Sequence, residues 1–227
     1  MRKVLIGTTL LALALAAADA RAGTIDWTTW ANTSSPAPAT GTMGAIGVTY
    51  NGDYTQVVPD YPSWNPSSSY TGGTISNAPP QSGGIVQLMG GNTDVNTINF
   101  STPVTDPVMA IWSLGAPNST AYFDFTANEP FAIEAGGPSA EYGGSSITAS
   151  GVDVAGAEGN GVIQFDGTFS SISFTNPTYE NWYGFTVGYN TDPSTSPVPE
   201  PSSFPMLLAG LAAIGGALYL ARKKMVA

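Results

Sequence analysis

Fourteen carboxylates, Asp26 through Asp192, are the only side chains charged at neutral pH between Gly23 and Val198. That stretch contains no Lys, Arg, His or Cys. Its net charge is about −14, because carboxylates titrate near pH 4. Nucleic acid is excluded as a partner, since no cation is present to replace the counterions of phosphate. A serine or cysteine nucleophile would lack its histidine base. Schiff-base chemistry has no lysine, and zinc has no Cys or His ligand. Two chemistries survive. A pair of carboxylates can cleave a glycoside, and carboxylates with amide oxygens can bind calcium. No EF-hand spacing occurs. The nearest acidic loop runs from Asp153 to Gly161, with Asp153, Glu158 and Asn160 as candidate calcium ligands. The same loop also reads as a glycine-rich turn with solvated acids. No carboxylate lies in a recognisable catalytic motif, so no catalytic residue is assigned, and the expectation is a protein that is not an enzyme.

Aromatic residues offer a different chemistry. All five tryptophans and nine of the ten tyrosines fall in the same stretch. Exposed rings can stack on sugars, whereas buried ones fill a core. Trp112 and Trp182, in or beside strand-like runs, read as core. Trp64 and Tyr70 lie in a proline-bearing loop, 61–80, and are the candidate carbohydrate platform. Trp27 and Trp30 are three apart, so a regular strand points them to opposite faces.

Positioning these groups falls to one domain, residues 23–190. Apolar runs are short and separated by turn residues, with no sustained helical period. The expected fold is all-β: a single antiparallel β-sandwich, jelly-roll-like. Strands are expected at 24–30, 45–50, 53–58, 84–89, 97–101, 108–114, 121–126, 131–135, 146–150, 162–165, 168–174 and 183–189. Val108 to Leu114 is apolar on both faces and should be a central strand. Asn51-Gly52 and Asp166-Gly167 read as two-residue hairpin loops. They would pair Ile46 with Val57 and Ile163 with Ser170. Residues 191–198 form a polar linker.

The ends of the chain carry targeting features. Arg2 and Lys3 precede an apolar run, Val4 to Ala18, and Ala20-Arg21-Ala22 fits a signal-peptidase site. Residues 1–22 therefore read as a signal peptide, and the mature chain should begin at Gly23. At the other end stand Pro199, Glu200 and Pro201, then an apolar segment, Phe204 to Leu220, then Arg222, Lys223 and Lys224. Seventeen uncharged residues as a helix span about 25 Å, somewhat under the roughly 30 Å of a bilayer core. A transmembrane helix is expected over 204–221, with the three cations on the cytoplasmic side.

These parts, in this order, resemble the PEP-CTERM sorting signal of Gram-negative surface proteins, here residues 199–224. The resemblance implies an exported protein handled by signal peptidase and then by an exosortase-type membrane enzyme. The precursor would be anchored in the inner membrane and the product would reach the cell surface or medium. Exopolysaccharide is the partner such a setting implies. Glu158–Phe165 and Trp182–Gly188 also resemble segments shared by a group of PEP-CTERM ectodomains. That second resemblance implies a compact β domain and no mechanism. Structural or adhesive, carbohydrate-binding and carboxylate-only glycosidase roles all stay open on this reading.

Overall fold

The computed structural model describes residues 22–127 and 130–192. Its strands are β1 (Ile25–Trp27), β2 (Thr29–Trp30), β3 (Ala39–Met43), β4 (Ile46–Asn51), β5 (Gln56–Val58), β6 (Ile85–Leu88), β7 (Asn92–Thr105) and β8 (Val108–Leu114). There follow β9 (Ala121–Phe125), β10 (Phe131–Gly136), β11 (Ser145–Ser146), β12 (Thr148–Ser150), β13 (Asp153–Gly156), β14 (Gly159–Phe165), β15 (Thr168–Asn176) and β16 (Tyr183–Asn190). They form two sheets. The first has the order β10-β14-β8-β16-β6-β5, with β1 beside β16 and β11 beside β14. The second has the order β12-β13-β9-β15-β7-β4-β3-β2. Every pairing is antiparallel except the short β11–β14 contact. The expected all-β, two-sheet architecture is present.

Alternation along the strands places the core between the sheets. Met109, Ile111, Ile163, Phe165, Phe185 and Val187 reach in from the first sheet. Tyr50, Ile98, Phe123, Ile172 and Phe174 reach in from the second. Phe185 meets Tyr50 edge-on at 5.2 Å and Phe174 at 5.9 Å, tying one sheet to the other. Such pairs add about 0.5–1.5 kcal/mol beyond the area they bury.

The first sheet is covered on its outer face as well. Val108, Ala110 and Trp112 of β8 point there, with Val162 and Ile85 beside them. The cover is the proline-bearing segment between β5 and β6, which contributes Trp64, Tyr70 and Ile75. Three short 3-10 turns shape it, at Pro62–Trp64, Ser67–Ser69 and Gln81–Gly83. Two covered faces explain why all seven residues of β8 are apolar or buried, as a central strand requires. Trp27 packs under this outer cover and Trp30 in the inter-sheet core, on opposite sides as expected.

Both expected hairpins are absent. Val57 pairs with Val86 of β6, and Ile46 pairs with Met43 of β3. A type I′ turn needs positive φ at both central residues. Neither Asn51 nor Gly52 has it. Asn51 stays in β4 opposite Thr97, and the buried Asn96 amide oxygen accepts from Asp53 N at 2.8 Å and from the Tyr50 hydroxyl at 3.1 Å. The true tight turn is Gly44-Ala45, with φ +56° at Gly44, between β4 and the unexpected β3. Asp166-Gly167 is likewise a corner between sheets. Ile163 pairs with Ile133 and Met109, while β15 pairs with β7 and β9. The β7–β8 corner runs beside it: Asp106 N donates to Gly167 O at 2.7 Å, and Gly167 N donates to Asp106 Oδ1 at 2.8 Å. The two chain segments cross from sheet to sheet together.

Among the described residues no helix is long and apolar enough to cross a membrane. The expected signal peptide (all but Ala22), most of the expected linker, the sorting signal and the expected transmembrane segment 204–221 lie outside the described residues.

Candidate functional site

A β-bulge organises the most chemically distinctive surface of the domain. Trp112 and Ser113 of β8 together oppose Asn160 of β14, between the Ile111–Gly161 and Leu114–Gly159 pairs. The extra residue throws Ser113 into the left-handed region, φ +56°, and Glu158 just ahead of β14 has the same φ. For residues other than glycine this costs about 1 kcal/mol or more each. Specific bonds hold the arrangement. Ser113 N donates to Asn160 Oδ1 at 2.8 Å, and Ser113 Oγ donates to Glu158 Oε2 at 2.5 Å. The Asn160 amide donates to Glu158 O at 2.9 Å and to Gly143 O at 3.3 Å. The Tyr70 hydroxyl donates to Asn160 Oδ1 from the covering segment, at 3.3 Å.

Ser113 and Glu158 thereby line one side of a cleft of about 260 Å³, whose other lining residues are Ala116, Tyr142, Glu180, Asn181 and Trp182. The loop before β16 delivers the last three. Glu180 Oε2 accepts from Gly115 N at 3.0 Å, and Glu180 N donates to Met89 O at 2.8 Å. Burial pushes the Glu180 carboxyl up to about 8; the charge of Glu158 adds to the rise, and the two N–H donors offset part of it. Four rings form the adjoining wall. Trp182 lies 4.5 Å from Trp112 and 5.3 Å from Tyr61, and Trp112 lies 5.3 Å from Tyr142.

The sequence-derived candidates fare differently. Trp64 is 2% exposed and Tyr70 is 0% exposed. They pack edge-to-face at 5.3 Å against the outer face of the first sheet and show no ring to solvent. A loop that must cover an apolar sheet face buries its own aromatics, so these two are no platform. Of the calcium candidates, Glu158 and Asn160 meet at the bulge, but the amide of Asn160 is used inside the fold. Asp153 heads β13, where its Oδ1 accepts from Phe125 N at 3.2 Å. Among the described residues no three His, Cys, Asp or Glu side chains converge on one point. Ser113, Tyr142 and Glu180 were not singled out by sequence. Glu180 stands two residues before Trp182, itself inside a segment with a family resemblance, and that proximity was the available signal.

Beyond Asp192 the functional element is one of sequence. Pro199, Glu200 and Pro201, the apolar run and Arg222, Lys223 and Lys224 follow one another as a unit. Residues 197–224 match the PEP-CTERM protein-sorting motif. The PEP-CTERM match supports an exported protein sorted by an exosortase-type enzyme, with a precursor held at the membrane before surface display. No curated protein and no solved structure matches the chain.

For the domain ahead of the PEP-CTERM motif, Glu180 sets a pH dependence. Its folded-state pKa of about 8 exceeds the ordinary 4.5. The folded state therefore binds the proton more tightly, and its contribution to stability is complete below about pH 4.5 and lost as pH rises through 8. Urea midpoints should fall across that window in the native protein. In Glu180→Gln, which keeps the shape and loses the titration, that component of the slope should vanish. An unchanged slope would refute the assignment.

Proposed function

We propose that the chain is an exported, exosortase-processed, non-enzymatic protein of the cell surface or extracellular matrix, structural or adhesive among exopolysaccharide. Signal peptidase would cut after Ala22, leaving Gly23 first, and the exosortase-type enzyme would act at Pro199-Glu200-Pro201. The observation that carries this reading is the PEP-CTERM match behind an acidic, two-sheet domain. Composition supports it. With no His, Lys, Arg or Cys from 23 to 198, most protein-borne catalytic devices have no parts. Fourteen carboxylates keep the domain soluble and resist self-association. Deleting the gene should lower cell aggregation and the share of polysaccharide retained on cells, with growth unchanged. Complementation with the wild-type chain should restore both. Unaltered aggregation and polysaccharide retention in the deletion strain would overturn the role.

A further inference from the structure

We infer that the cleft between Tyr142 and Trp182 binds a sugar unit of an uncharged glycan. The inference rests on the surface role proposed above, because a matrix protein meets extracellular glycan. Three observations carry it. The first is shape. A cleft of about 260 Å³ equals the volume of about nine liquid waters, enough for a single sugar ring.

The second is the mix of groups. Binding sites join apolar walls to a few convergent polar atoms. Here Trp182 and Tyr142 supply rings, and the negative face of a ring suits the C–H edges of a pyranose. Tyr142 is 49% exposed, although the Trp112 ring beside it is fully buried. Glu158, Glu180 and Asn181 bring acceptors and donors to the same space. Glu180, held protonated below about pH 8, can donate a hydrogen bond as well as accept one. Sugar hydroxyls need both. The third is charge. The stretch from Gly23 to Val198 has fourteen carboxylates and no cation, so a uronate or sulfated glycan would be repelled and would find no partner. An anionic glycan is thereby excluded, and the ring walls with the donor and acceptor of Glu180 suit the hydroxyls of a neutral glycan.

The geometry also constrains the roles. Ser113 is committed to Glu158 and Asn160, and it shapes the cleft as a positioning residue. Asn181 and Tyr142 lie at the rim, where substitution leaves the core intact.

The test uses the whole protein purified from cells that export it. Its binding is measured at pH 6 to immobilised dextran, mixed-linkage β-glucan and galactomannan, with polygalacturonate and chitosan as charged counterparts. At least one neutral polymer should bind and shift the tryptophan emission. Tyr142→Ala and Asn181→Ala should each weaken that binding about tenfold without moving the urea midpoint. Glu180→Gln should bind within about twofold of the native protein, since an amide reproduces a protonated carboxyl. Binding to chitosan alone would overturn the inference in favour of ammonium recognition, and preference for polygalacturonate would overturn the charge argument. Binding unaffected by either rim variant would place the sugar elsewhere. Failure to bind any glycan would sink the inference and leave the surface role to stand or fall on the deletion strain.

Discussion

Replacing Pro199, Glu200 and Pro201 together by alanine should leave export intact and collect the protein in the inner membrane, with the surface form reduced to background. Export is expected to depend on the proposed N-terminal signal peptide, which the substitution does not touch. Sorting depends on the motif matched at 197–224. The physical case lies in the prolines. Each proline disfavours helix at the residue before it, so the boundary is expected to be extended and accessible to a membrane-embedded enzyme. Alanine, the strongest helix former, would let the apolar helix run outward through the boundary. Intact-mass measurement decides the outcome. Native surface protein should lack the segment from Phe204 onward. The variant should retain it and fractionate with membranes. Surface protein still carrying residues 204–227 would reduce the tail to a plain anchor.

Asn160→Ala should destabilise the domain although it alters no apolar packing. Asn160 is completely buried and joins four elements: Ser113 of β8, Tyr70 of the covering segment, Gly143 ahead of β11, and Glu158. Alanine would leave the buried Ser113 N–H unmatched, while the Gly143 and Glu158 carbonyls keep Ser139 N and Ser145 N and the Tyr70 hydroxyl keeps Ser63 O. A buried polar group left unmatched costs about 1–3 kcal/mol, so the loss should fall in that range. That is a large share of the 5–15 kcal/mol typical of a domain. Asn160→Asp should fare no better, because its oxygens would face the carbonyls of Gly143 and Glu158 as acceptors opposed to acceptors. Urea unfolding of the two variants beside the native protein measures this. A shift under 1 kcal/mol in both would show that the network carries little of the stability.

Local pattern foretold some elements and missed others for identifiable reasons. The run of β8, apolar on both faces apart from Ser113, named a central strand, and the structure gives it neighbours on both sides and cover on both faces. Tyr183, Phe185 and Val187 alternate along β16 and all face the inter-sheet core. Alternation tells which face is buried, but not which sheet the strand joins. Ile163 and Phe165 do share a core with Ile172 and Phe174, yet they look across it from opposite sheets. Two short loops consequently read as hairpins when both carry the chain from one sheet to the other. The segment from Asp153 to Gly161, read as an acidic loop, contains β13 and the start of β14. Trp64 and Tyr70 were read from their loop alone. The outward-facing apolar side of β8 already demanded a cover, and that demand was the signal that they are buried. The cleft was illegible because it depends on a bulge fixed by Asn160 from a distant strand, and no local pattern at Ser113 announces it.

One pairing has a mechanical consequence. β16 ends at Asn190, opposite Ile25 of β1, and Thr191 N donates to Thr24 O at 3.0 Å, so the start of the domain lies against the strand that leads into the tail. Any tension transmitted through the chain beyond Asp192 enters the fold along β16. That strand is flanked by β8, β6 and β1, and its ladder bonds lie across the pulling direction. They are therefore loaded in shear, many at once, rather than peeled apart singly. A domain held by its C-terminal end against flow or cell contact would resist extraction through β16, with β1 at its N-terminal end sharing the load.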